Sequence, residues 1–155
     1  SMALDKTDLR ILKALQEPGR LSNVDLAAQI GLSPSPCLAR VKALEKAGVI
    51  DRYVALVAPE ALDLGISVFI QVTLERQTER GLADFEQRML AFDQVMECYF
   101  MTGDSDYLVR LVVKDIDSLQ RFLVKELTTI PGVANIRSSF ALKQVKYKTA
   151  LPVRG

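Results

Sequence analysis

The chain has 155 residues, 49% hydrophobic and 25% charged, with a net charge of +1, the profile of a folded protein of one medium or two small domains. It contains no histidine, which excludes sites built on imidazole: Ser-His-Asp and Cys-His nucleophile pairs, histidine-ligated zinc and histidine acid-base chemistry. Cys37 and Cys98 make no disulfide framework or zinc-ligand spacing and read as reduced, buried thiols; with no bilayer-length apolar run and no basic-then-apolar leader, a cytoplasmic protein without metal or cofactor is expected.

Three helical patterns open the chain. In "LDKTDLRILKAL", Leu4, Leu9, Leu12 and Leu15 recur at helical spacing. Asp5 can cap this helix with Asp8 in the reciprocal position, and Leu4 and Leu9 occupy the staple positions. "LSNVDLAAQIG" repeats the arrangement with Ser22 as cap, Asp25 as the reciprocal acid, Leu21 and Leu26 as staple, and Gly31 as the stop.

The third helix follows "GLSPSP". The first N–H groups of a helix have no partner within it, so proline in the first turn forfeits no internal bond. Ser33 can cap a helix beginning at Pro34, or Ser35 one beginning at Pro36. The residue before a proline avoids helical angles, which favours the later start. The helix then runs to Ala47, and Gly48 ends it. At roughly 100° per residue, Cys37, Leu38, Val41, Leu44 and Gly48 share one face, predicted to face inward. Ser35, Pro36, Ala39, Arg40, Lys42, Ala43 and Lys46 lie opposite, a small, polar and basic surface without a carboxylate.

Three short helices, a tight turn at Gly31–Ser33 and a basic outer face on the third describe a helix-turn-helix. An ordinary three-helix cluster with a solvated basic face is the alternative. "GVIDRYVALVAP" is predicted as a strand-turn-strand wing with Arg52 near its turn. The expected contacts to double-stranded DNA are Ser33, Ser35, Pro36, Ala39, Arg40, Lys42, Ala43, Lys46 and Arg52. The first sixty residues carry nearly balanced charge, so any DNA contact depends on this local clustering.

"APEALDLG", residues 58–65, reads as the linker between a domain over 1–60 and another over 66–155. "ISVFIQVTLE" alternates as a strand with Val68, Ile70, Val72 and Leu74 on one face. "TERGLADFEQRMLAFD" is a helix with Leu82, Phe85, Met89 and Phe92 inward. "VMECYFMT" and "DYLVRLVV" are strands joined at Gly103–Asp106. "DIDSLQRFLVKELTTI" is a second helix and "VANIRSSFALKQVK" a last strand.

The order is βαββαβ. A faint internal repeat supports it: Phe85 and Leu90 before Val95 match Phe122 and Leu127 before Val133, with one residue inserted at Pro131–Gly132. The fold class is α+β, a winged helix-turn-helix followed by a ferredoxin-like sandwich with helices on one sheet face. The uncovered face, lined by Phe69, Gln71, Tyr99, Met101, Leu108, Arg110, Val112, Arg137 and Ala141, is too apolar for a solvated sheet and reads as a two-fold subunit interface.

"LDKTDLRILKALQ", "LSNVDLAAQIGLSPSPCLARVKALEKAGVI", "TGDSDYLVRLVV" and "LTTIPGVANIRSSFALKQVK" occur in order and span nearly the whole chain. In these four segments the sequence closely resembles the Lrp/AsnC family of leucine-responsive, feast/famine transcription regulators. The resemblance implies DNA binding by the first domain, and dimers formed through the sheet domains that assemble into tetramers or octamers. It also implies a free amino acid bound between dimers. The family pattern places that effector at Met101, Thr102, Gly103, Asp104, Asp106 and Tyr107, and at Ser138, Ser139, Phe140 and Ala141.

Asp104 and Asp106 can accept from an ammonium group, and Gly103 lets backbone amides approach a carboxylate. "GDSD" is equally the composition of a plain exposed turn. Met101, Phe140 and Ala141 favour an apolar effector such as leucine or methionine, whereas Ser138 and Ser139 could serve a polar one. Two other functions fit the architecture: a nucleoid-organising protein that wraps DNA without an effector, and an enzyme similar to sirohaem decarboxylases, whose chemistry is associated with histidines absent here.

Overall fold

The computed structural model describes residues 2–154. The chain forms two compact units: residues up to Ala55 together with the tail from Val145, and Leu56–Gln144. The first holds helices α1 (Lys6–Leu15), α2 (Asn23–Ile30) and α3 (Pro34–Lys46). Asp5 accepts from the Asp8 amide at 2.8 Å, and Asp8 accepts from the Asp5 amide at 3.2 Å. The second cap is half-formed: Ser22 accepts from the Asp25 amide at 3.1 Å, without a return bond from the short aspartate. Gly31, at φ 73°, takes the left-handed conformation that turns the chain from α2 toward α3.

Ile11, Leu26, Ala27, Ile30, Cys37 and Leu44 form the buried core of the helical unit, each large apolar side chain contributing ~1.5–3 kcal/mol. Leu38 departs from the expected inward face and is 41% exposed. The core-facing line instead passes through Cys37, Arg40, Val41 and Leu44, a regular i, i+3, i+4, i+7 stripe. The prolines permit the earlier of the two starts, because Ser35 tolerates helical angles before Pro36 here.

Two expectations for the segments flanking the sheet fail. Residues 49–58 form no strands: "VIDRYVAL" offers no glycine or asparagine for the positive φ of a tight hairpin turn, so the predicted wing ladder does not close. The tail, assigned by sequence to the second domain, packs with the first unit from Val145 onward. There the Gln16 amide donates to the Leu151 carbonyl at 3.1 Å, and its oxygen accepts from the Leu151 amide at 2.6 Å.

In the second unit a single turn at Pro59–Leu62 precedes β1 (Ile66–Leu74), α4 (Glu79–Ala91), β2 (Val95–Phe100), β3 (Tyr107–Val113), α5 (Ile116–Arg121) and β4 (Val133–Phe140). The antiparallel sheet has the order β2-β3-β1-β4, so the expected βαββαβ sandwich forms. Val68, Ile70 and Val72 of β1 and Val109 and Leu111 of β3 are wholly buried against Phe85, Met89, Leu119, Phe122 and Leu127 of the helices. β4 stops at Phe140 rather than running on through "ALKQVK". The register pairs Phe140 with Val68, and β1 begins only two residues earlier; the Ala141 amide still donates to the Ser67 carbonyl at 3.0 Å, and the chain past it has no ladder to join.

The internal repeat is real but its extra residue lies elsewhere. Leu90 is 79% exposed; the true counterpart of Leu127 is Met89, since each precedes its following strand by the same interval. Phe85 and Met89 are four apart, whereas Phe122 and Leu127 are five apart. The helix after α5 continues as one π turn over Phe122–Leu127, whose wider turn absorbs the insertion and keeps both side chains on the core face. Deletion of Val124, 59% exposed within that turn, should therefore yield a regular α-helix and leave cooperative thermal unfolding intact. Deletion of the exposed Gln87 from the α-helical α4 should cost roughly 2–5 kcal/mol by dragging core residues off their sites. Differential scanning calorimetry of the two deletions distinguishes them.

Candidate nucleic-acid interface and effector site

The start of α3 is set by donors it lacks. In α1 and α2 the cap side chain accepts from the third helical amide, that of Asp8 and Asp25. In α3 that position is Pro36, which has no N–H, and Ser33 makes no side-chain cap bond. The Ser33 and Ser35 hydroxyls are consequently left exposed at the helix tip. Asn23, in the first turn of α2, donates to the Pro34 carbonyl at 2.8 Å and pins this tip across the helix-turn-helix.

Pro36, Ala39, Lys42, Ala43 and Lys46 are exposed along α3 as expected, and Arg52 is exposed beyond it. Arg52 pairs with Asp51; both side chains lie in water, where such a pair is weak and exchangeable. Arg40 is the exception. Its guanidinium Nη1 donates to Asp5 at 2.8 and 2.9 Å and to Asp8 at 3.3 Å. The side chain predicted to face DNA instead bridges α3 to the cap of α1. The hydrogen bond from Arg40 holds the Asp5 carboxyl below the ordinary carboxylate range, helped by the Asp8 amide. The sequence carried a usable signal: Arg40 lies at i+3 from buried Cys37 and i−4 from buried Leu44.

The ten expected effector residues separate into groups. Met101, Thr102, Gly103 and Asp104 are exposed in the β2–β3 hairpin, and Gly103 has φ 106°, a backbone reserved for glycine. Asp106 and Tyr107 are only 5% and 1% exposed. The Asp106 carboxylate accepts from the Leu74 amide at 2.7 Å and from the Gln77 side chain, so the fold itself occupies it. The Tyr107 hydroxyl donates to Glu86; burial first, and that bond second, push the phenol pKa far up.

Ser138, Ser139 and Phe140 on β4, and Ala141 just past its end, are exposed but lie at the opposite sheet edge from the hairpin. They also lie toward the opposite end. Tyr107 pairs with Val72 near the close of β1, whereas Phe140 pairs with Val68 near its start. Ser138 and Phe140 share the helix-covered face with their partners Ile70 and Val68, and Ser139 shares the open face with Phe69. One chain does not bring the hairpin and these β4 residues together.

The open face carries Phe69, Gln71, Leu108, Arg110, Val112, Tyr99 and Arg137 in register. Glu97, absent from the sequence-based set, neutralises its centre. It accepts from Arg110 Nε at 2.6 Å and from the Tyr99 hydroxyl at 2.7 Å, and the Arg110 bond chiefly holds its carboxyl low. Glu97 stands two residues before Tyr99 and opposite Arg110 in regular register, so strand alternation places it on this face; the bulge lies before it, between Val95 and Glu97. No cluster of potential metal ligands occurs among the described residues.

Residues 67–151 match the Lrp/AsnC ligand binding domain, and residues 4–51 match a winged helix-turn-helix DNA-binding family. The Bkd operon transcriptional regulator of Pseudomonas aeruginosa is 51% identical over 150 residues, covering 97% of this chain and 98% of that one. The chain belongs to the Lrp/AsnC family. Within it, the leucine-responsive regulatory protein of Haemophilus influenzae is 40% identical over 98% of this chain and 92% of its own length. A Neisseria meningitidis transcriptional regulator solved as a complex with L-Met is 42% identical, with a TM-score of 0.91 and 97% coverage of both chains. Escherichia coli AsnC is 28% identical, with a TM-score of 0.85 and 96% and 98% coverage. The protein is thus a transcriptional regulator with a helix-turn-helix and a ligand-binding sheet domain. None of these relatives is named as an enzyme.

The Arg40 bridge makes the helical unit sensitive to acid. Asp5 has a depressed pKa in the folded state, so its contribution is present above the unfolded value near 4 and is lost as pH falls through the folded one. Thermal melts should show the wild type losing stability as the pH falls below about 4. In Arg40→Ala the melting temperature should be lower at pH 7 and should fall less over that range.

Proposed function

We propose that this protein is an amino-acid-responsive repressor or activator whose effector is a small apolar amino acid, methionine or leucine, bound between copies of the chain. The observation that carries this reading is the hairpin itself. Gly103 and its neighbours present an open backbone to solvent beside the exposed Asp104 carboxylate, which suits the two charges of a zwitterion. Asp104 takes the ammonium group, since the Asp106 carboxylate is already engaged. Met101 and Phe140, 42% and 45% exposed, supply apolar surface for the side chain, with Thr102 and Ser138 beside them and the backbone of Ser139 and Ala141 at the strand edge. Because the hairpin and β4 lie apart within one chain, the complete site needs a second copy. The L-Met complex of the Neisseria meningitidis regulator supports the ligand class.

Assembly uses the open sheet face. Phe69 and Tyr99 are 38% and 51% exposed there, and a two-fold dimer covers them while presenting two α3 helices to half-sites roughly 10 bp apart or a multiple of that. Dimers then join into tetramers or octamers around the effector. No helix among the described residues is long and apolar enough to cross a membrane, and we place the protein with the DNA in the cytoplasm.

Calorimetric titration with L-methionine and L-leucine should give saturable heat with the wild type. Gly103→Val should give none while retaining DNA binding, because a β-branched residue resists φ near 106°. Equal heats for both proteins would move the effector away from the hairpin. Val112→Asp should shift light scattering from dimer or larger toward monomer, since burying an unpaired carboxylate costs at least about 2 kcal/mol. A wild type that is monomeric at micromolar concentration would refute the sheet-face assembly.

A further inference from the structure

Arg40 is committed to Asp5 and Asp8, and this changes what α3 can read. Base edges are distinguished in the major groove by a few side-chain chemistries: bidentate arginine or lysine to guanine, bidentate asparagine or glutamine to adenine, carboxylate to cytosine, and apolar contact to the thymine methyl. The N-terminal half of a recognition helix makes these contacts. With Arg40 withdrawn, the exposed positions in that half of α3 are Pro34, Ser35, Pro36, Leu38 and Ala39, with Lys42 just beyond them. None is arginine, asparagine, glutamine or a carboxylate. Lys42 can reach a phosphate or a guanine. Leu38, at 41% exposure, is the one large apolar side chain among them, and the short Ala39 beside it leaves room for a base pair to approach.

We propose that Leu38 is a specificity-determining residue that reads thymine through its C5-methyl group, so that each operator half-site carries a thymine facing the start of α3. The inference rests on the DNA-binding reading of α3 and adds the base class it recognises. Leu38 stays outside the helical core because the buried Cys37 and Leu44, with the Arg40 bridge beside them, fix the roll of α3. The roll that turns Arg40 toward α1 turns Leu38 toward solvent on the opposite flank.

The test alters the DNA, which separates it from any folding defect. Duplexes are selected from a random library by the wild-type full chain. Each thymine of a selected duplex is then replaced in turn by deoxyuridine, which keeps Watson–Crick pairing and removes only the methyl group. Binding is measured for the wild type and for Leu38→Ala. At one thymine per half-site the wild type should lose roughly fourfold in affinity, the value of one buried methyl-sized group, and Leu38→Ala should show no such loss there. Unchanged wild-type affinity at every deoxyuridine position, or an equal loss in both proteins, would overturn the proposal. Failure of the wild type to enrich any duplex would overturn the DNA-binding reading beneath it.

Discussion

The contact between Arg40 and the paired carboxylates of Asp5 and Asp8 sets the geometry of the DNA-binding unit. Cys37 and Leu44 are wholly buried with Val41 packed beside them, and close packing of these side chains holds the roll of α3. A charge-assisted bond to the capping box of another helix holds the same orientation from outside the core. Together they fix which side chains of α3 face outward, and the two prolines and Asn23 fix where the helix begins. The net energy of such a partly exposed bridge is small; its consequence is orientation.

The sheet unit has a comparable constraint in β1. Both neighbours pair with it, and Val68, Ile70 and Val72 are wholly buried. Its residue limits also end β4, and Asp106 closes over its last residues through the Leu74 amide. The hairpin that offers Gly103 and Asp104 to a ligand is therefore anchored at its root while its tip stays open. That division suits a sensing loop: a firm base transmits the effect of a bound molecule, and a free tip admits it. In the proposed site, which draws on β4 two strands away, an effector that joins two copies would link binding to association.

Much of this was legible in the sequence, for identifiable reasons. The βαββαβ order followed from alternation in "ISVFIQVTLE" and "DYLVRLVV" and from helical spacing around Phe85 and Phe122. The Asp5–Asp8 capping box formed as read. Features set by tertiary packing were hidden. Leu38 looked inward because hydrophobicity alone placed it there, although Arg40 had the better spacing for the core face. The extra residue of the second repeat was assigned to Pro131–Gly132, the usual site of insertions, but a π turn took it up within the helix. The wing ladder does not close because "DRY" has no glycine or asparagine for a tight hairpin turn. The tail's attachment at Gln16 depends on a partner 135 positions away, beyond any local pattern. Within the effector set, burial of Asp106 could not be told from exposure of Asp104, since both belong to one turn-like string.

In the proposed regulator, occupancy of the hairpin by an amino acid is read out at α3. Fluorescence anisotropy of a labelled, selected duplex titrated with the full chain, in the presence and absence of saturating L-methionine or L-leucine, tests it directly. At least one of the two should change the apparent DNA affinity by about fivefold or more, the lower end of ordinary allosteric coupling. Superimposable binding curves with and without either amino acid would show that the hairpin does not govern α3.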